Sequence, residues 1–181
     1  MFRSVFIVLA LIAGSAQAQD TSDLSLGQSI GPQIGDTYVR DIQGDWEIRC
    51  VKAPEGTKDR CHIYQLLKQA NGNPISEVSI FAVENPGEAV AGATIITPLE
   101  TLLQQGLQIT IDDGDPKLYP FSYCSQIGCH ARAGFTGPDL FALERGTVAT
   151  ITIAALSAPE KLINISVSLE GFTAAYDALF D

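Results

Sequence analysis

Two histidines directly follow cysteines, His62 after Cys61 and His130 after Cys129, and these groups are the first to weigh for chemistry. Structural zinc sites bring their Cys and His ligands as pairs two to four residues apart. Here Cys50 and Cys61 are eleven residues apart and Cys124 and Cys129 are five apart, a poor match. A Cys and the His beside it also point to opposite faces of a strand, which works against a shared ligand site. Redox catalysis wants Cys-x-x-Cys near a helix start, where the dipole lowers a thiol pKa, and neither pair has that spacing. Asp112-Asp113-Gly114-Asp115 is acidic enough for a calcium loop but lacks the alternating oxygen ligands and the distal glutamate. It reads as a solvated hairpin turn. No Gly-x-Ser-x-Gly elbow occurs, and a glycosidase-type carboxylate pair is set by the fold rather than by spacing. The residues therefore nominate no catalytic, cofactor-binding or metal-binding group, and no enzymatic activity is expected.

Cross-linking is the remaining role for the cysteines, and the N-terminal stretch supplies the compartment for it. Arg3 is followed by an apolar run from Val5 to Ala13 and then by Ala16-Gln17-Ala18, the layout of a secretory signal with cleavage expected after Ala18. A spanning helix needs about 20 apolar residues. This run is shorter and no later one is long enough, so no integral membrane segment is expected after signal removal. The destination is then the periplasm, the outer cell surface or the medium, where disulfides are the default. Of the three possible pairings, Cys50–Cys61 with Cys124–Cys129 closes the two shortest loops and is the expected one. Removing residues 1–18 leaves the chain one unit more negative than its full-length −10. Such a field repels nucleic acid and anionic lipid, both of which need a concentrated basic patch.

These groups must be positioned by β structure. Residues 19–35 are rich in Gln, Ser, Gly and Asp and read as a flexible lead-in, leaving 36–181 as one domain with ample apolar content, 46% against 18% charged. Trp46, Ile48 and Cys50 alternate with Glu47, Arg49 and Val51, the period of a half-buried strand. Cys61–Gln69 and Ile75–Glu84 flank the turn signal Asn71-Gly72, and Asn85-Pro86-Gly87 leads to Ala89–Thr97. Pro98–Gln105 is open between a helical turn and an apolar loop. Leu107, Ile109 and Ile111 alternate cleanly before Asp113-Gly114 turns the chain into Leu118–Tyr123. Further strands are expected at Gly128–Phe135, Asp139–Glu144, Thr147–Ala154 and Leu162–Leu169, with turns at Gly137-Pro138, Arg145-Gly146 and Ala158-Pro159. Phe172, Ala175, Tyr176 and Leu179 fall on one face of a short terminal helix. The predicted fold class is all-β, an antiparallel β-sandwich of about ten short strands closed by that helix.

The order Gly44-Asp45-Trp46, Cys50, Cys61, Ile109–Gly114, Phe121–Cys124 and Gly128-Cys129 resembles the invasion-associated locus B family of α-proteobacterial envelope proteins. The resemblance runs from Gly35 to Leu179, and its most specific pieces are the Gly-Asp-Trp strand and Cys-x-x-x-Gly-Cys at Cys124–Cys129. It implies an exported, non-enzymatic protein, associated in pathogenic members with host-cell entry and lacking an established catalytic or cofactor site. The expected partner is then an envelope or host-surface protein, with a periplasmic small-ligand carrier or an envelope enzyme as the alternatives.

Overall fold

A computed structural model describes residues 25, 27, 28 and 30–181. The expected signal, 1–18, lies outside the described residues, as does much of the expected lead-in, and the sheets and helices belong to the unit Pro32–Asp181. Its strands are β1 Thr37–Gln43, β2 Trp46–Val51, β3 Arg60–Lys68, β4 Pro74–Ala82, β5 Ala91–Thr97, β6 Leu107–Ile111, β7 Lys117–Tyr119, β8 Phe121–Ser125, β9 Gly128–Phe135, β10 Val148–Ala155 and β11 Ala158–Ser168. The helices are α1, Gly137–Arg145, and α2, Phe172–Asp177, with a 3-10 turn at Leu103–Gln105. The strands pair antiparallel into a seven-stranded sheet, β1-β2-β3-β4-β5-β9-β8, and a four-stranded sheet, β11-β10-β6-β7.

Alternation explains how the sheets meet. Trp46, Ile48 and Cys50 of β2, Val78 and Ile80 of β4 and Ile95 of β5 join Ile109, Ile151, Ile165 and Val167 of the smaller sheet in one buried cluster. Trp46 is fully buried; its Nε1 donates to the Ser168 carbonyl at 2.9 Å, and its ring meets Phe172 of α2 edge-on at 5.4 Å. That arrangement suits an indole, which needs a partner for its one polar atom when it is buried. The turn before Trp46 is locked to the turn before α2. Gly44 and Gly171 both have positive φ, and a Cβ on either would collide with the backbone of the other turn, at Glu170 and Gln43 respectively. Only glycine permits that approach, which brings the Asp45 N–H to the Glu170 carbonyl at 3.1 Å.

The cysteines are bonded as Cys50–Cys61 and Cys124–Cys129. Each pair sits directly opposite in register, across β2–β3 and β8–β9.

Four local expectations are corrected. Asp139–Glu144 is not a strand but the body of α1: Asp139 accepts the Thr136 N–H at 3.0 Å, and Pro138 occupies the first turn, as at a helix start. Leu118–Tyr123 is not one strand. Pro120 has no N–H to give a ladder, and the chain crosses there from β7 in the small sheet to β8 in the large one. The turn expected at Ala158-Pro159 falls instead at Leu156-Ser157, with Ala158 already paired to Ala155. Finally β1, at the edge of the large sheet, brings the strands to eleven.

Candidate functional site

The residues singled out for chemistry do not converge. His62 lies on β3 opposite Arg49 and His130 on β9 opposite Ile96, with β4 and β5 between them. Burial, and then the Arg49 charge, hold the His62 pKa below its usual value, favouring the neutral ring. His130 is 6% exposed beneath Tyr123, whose ring stacks on it at 4.4 Å, and its Nε2 lies 3.0 Å from Ser125 Oγ. Asp112 is a turn cap: its carboxylate accepts the N–H groups of Thr147 and Val148, each at 3.0 Å. Cys50, Cys61, Cys124 and Cys129 are all spent in disulfides. Among the described residues, no three His, Cys, Asp or Glu side chains gather as metal ligands.

The larger sheet carries an ordered polar network on its outer face. The Arg49 guanidinium lies 3.2 Å above the Tyr64 ring centroid and 2.8 Å from Glu47, and the Tyr64 hydroxyl donates to Glu77 at 2.8 Å. Burial first, and Glu77 second, push the Tyr64 pKa up, so its hydroxyl stays a donor.

Beside this network opens a cleft of about 590 Å³. β2 starts only at Trp46, because the chain must turn back through Gly44-Asp45 to β1, whereas β3 runs four residues past Tyr64. The Cys50–Cys61 pair, with Cα atoms 4.0 Å apart, is a non-hydrogen-bonded position of the β2–β3 ladder. Counting from it, Tyr64 and then Leu66 turn their N–H and C=O towards the β2 side. For Leu66 that side holds no ladder partner among the described residues, because Asp45 has left the ladder: its N–H goes to Glu170 and its carbonyl accepts from Gln65 Nε2 at 3.3 Å.

The opposite wall is β11, an edge strand of the small sheet. Gln65 joins the two sheets. Its Oε1 accepts the Ser168 N–H at 2.9 Å and its Nε2 donates to the Ser168 carbonyl at 3.0 Å, so one side-chain amide occupies the place of a neighbouring strand's peptide unit. Because Ser168 turns both backbone groups away from β10, alternation turns those of Ser166, Asn164 and Leu162 the same way. The cleft is thus closed at Gln65–Ser168 and bordered beyond it by two strand edges without ladder partners among the described residues, with Asp45, Glu47 and Lys68 at its rim.

Sequence reasoning did not single out Gln65 or Ser166, and it marked Asp45 only as part of the Gly44-Asp45-Trp46 motif. A signal for Gln65 was present, since Ile63, Gln65 and Leu67 share the inward face of β3 and only the middle one is polar. A buried polar residue in a core-facing row needs a partner, but its partner lies 103 residues away.

The family model described as "Invasion associated locus B (IalB) protein" matches residues 46–180. Two curated relatives, invasion protein B homologues of Brucella abortus strains 2308 and 9-941, are each 26% identical over 145 residues, covering 80% of this chain and 81% of theirs. The crystal structure of invasion associated protein B from Bartonella henselae superposes with a TM-score of 0.65 at 20% identity, covering 77% of this chain and 94% of that one. At that identity the likeness speaks for the fold.

Proposed function

The chain belongs to the invasion-associated locus B family, and on that premise we propose that it is an exported envelope protein that works by binding another envelope or host-surface protein through an open strand edge, without catalysis. The observation that carries this reading is the cleft beside β11, where backbone donors and acceptors of two strands stand unpaired among the described residues, next to a cavity of about 590 Å³. Soluble proteins blunt such edges with charge, proline or a covering loop; β11 carries Pro159, Glu160 and Lys161 at its start, while its remaining stretch, Leu162–Ser168, contains neither a charged residue nor proline. Export is supported by the composition of residues 1–18 and by two disulfides, which persist in oxidising compartments.

The reading is tested by placing a photo-cross-linking side chain at position 166 in the native host, with a matched probe at Glu55 in an exposed loop. A discrete protein adduct from position 166 and none from position 55, on material whose mature N-terminus is Gln19, is the expected result. Purely monomeric protein with no adduct from either position, or protein retained in the cytoplasm, overturns the reading. A small-ligand carrier is the competing reading, because the cleft volume falls within the roughly 300–1,000 Å³ of ligand pockets. Native mass spectrometry of protein from the host separates the two: a co-purifying small molecule favours the carrier.

A further inference from the structure

Resting on the interaction reading above, we propose that the occupant of the cleft is an extended segment of a partner polypeptide, added as a strand along the free edge of β11 and carrying a lysine or arginine that meets Asp45. In β11 the N–H and C=O groups of Val167, Ile165 and Ile163 face β10, while those of Ser166, Asn164 and Leu162 face outward. A peptide laid along that edge gains ladder hydrogen bonds without displacing any existing pair, which is how strand addition obtains affinity that depends little on sequence.

The molecule already contains the first rung. Gln65 bonds the Ser168 N–H and C=O as a neighbouring strand would, so the position of an added strand is marked at the closed end of the cleft. Beyond that rung the far wall offers Leu66, whose backbone groups face the place β2 has vacated. Charge sets the polarity of the occupant. Glu47 is paired with Arg49 at 2.8 Å, whereas the Asp45 carboxylate and the Lys68 ammonium, both at the rim, have no side-chain partner among the described residues. The partner segment is therefore uncharged where it passes Ser166, basic where it reaches Asp45 and without positive charge beside Lys68.

The probe is a blocked seven-residue peptide of alternating threonine and valine with a lysine at one end, together with a twin N-methylated on the amides of one edge. Each is titrated into isotope-labelled, disulfide-intact protein while the amide resonances are followed. The unmodified peptide is expected to shift the amides of Leu66, Asn164 and Ser166 and to slow their hydrogen exchange. Losing two or three ladder bonds should weaken the N-methylated twin by about tenfold or more. Ser166→Pro should have the same effect, because it deletes an outward N–H and leaves the β10 ladder intact. Asn164→Pro is the second variant should Ser166→Pro fail to fold, and the methylated peptide requires no variant at all. Asp45→Asn should weaken binding about twofold to fivefold and reduce its salt dependence.

Shifts confined to other residues, no shifts at all, or equal binding of the two peptides overturn the inference. Failure here stays distinct from failure of the interaction reading. If the position-166 probe gives the same photo-adduct with and without Asn164→Pro, which deletes the neighbouring outward N–H, the protein binds a partner but not by strand addition; if neither chain gives one, the interaction reading itself falls.

Discussion

Replacing Gln65 with leucine keeps most of the side-chain volume and removes the amide that ties β3 to β11. Three hydrogen bonds go: Nε2 to the Asp45 carbonyl at 3.3 Å, Nε2 to the Ser168 carbonyl at 3.0 Å, and the Ser168 N–H to Oε1 at 2.9 Å. They are not equal. The Ser168 carbonyl keeps the Trp46 indole N–H at 2.9 Å, and the Asp45 carbonyl lies where cleft water reaches it, but the Ser168 N–H is left with no partner. An orphaned buried donor costs about 1–3 kcal/mol, and each of the other two bonds about 1 kcal/mol net. The larger apolar surface of leucine returns about 1 kcal/mol. The expected loss for Gln65→Leu is therefore about 3 kcal/mol, or roughly 6–12 °C in Tm for a domain of this size.

Gln65→Glu sharpens the test. Its carboxylate faces two carbonyl oxygens, so the folded state raises its pKa above the ordinary value of about 4.3. A carboxyl raised in the folded state penalises stability fully above its folded pKa, and the penalty fades as pH falls towards the unfolded value. Urea unfolding followed by the fluorescence of Trp46, the only tryptophan, measures both variants at about pH 7.5 and about pH 5. A Gln65→Leu loss under about 1 kcal/mol, or a Gln65→Glu variant no worse than Gln65→Leu at the higher pH, refutes the structural role of this amide.

Gly44→Ala should destabilise by more than about 2 kcal/mol in the same assay, since its Cβ meets the Glu170 backbone. Gly56→Ala, also at positive φ but with open space around it, should cost only about 1 kcal/mol; equal losses would rule out the interlocked turns as the cause. Removing Cys50–Cys61 should cost about 3 kcal/mol and removing Cys124–Cys129 about 2 kcal/mol, following loop separations of 11 and 5, as measured by urea unfolding of the paired serine variants. A reversed order would mean that strain or denatured-state structure outweighs loop entropy. The lowered His62 pKa gives a destabilising term that is absent above the unfolded value of about 6.5 and grows as pH falls through that value towards the folded pKa. Between about pH 8 and about pH 5 the parent should lose more stability than His62→Asn, and parallel pH profiles would contradict the assignment.

Much of the scaffold is legible residue by residue. The rows Trp46-Ile48-Cys50 and Leu107-Ile109-Ile111 face the core as their alternation requires, and the four cysteines bond to their nearest neighbours in sequence. The α1 start was legible too: Thr136-Gly137-Pro138-Asp139 is a capping pattern with proline in the first turn, but the β-prone surroundings outweighed it. β1 left a fainter trace. Its residues are exposed or half-buried along the whole strand, so no row is forced apolar, and the register shift between Val39 and Asp41 interrupts the period.

What the chain's order of residues determined alone is whatever depends on near neighbours: the periodicity of most strands, most turn positions and disulfide pairing across short loops. Only the tertiary structure decided that Pro120 passes the chain between sheets, that two glycines 127 positions apart share one close contact at Gly44 and Gly171, and that β3 outruns β2 opposite the open edge of β11. The cleft exists because two strands end out of step. That mismatch is a property of how distant segments are brought together, and no local preference in either strand encodes it.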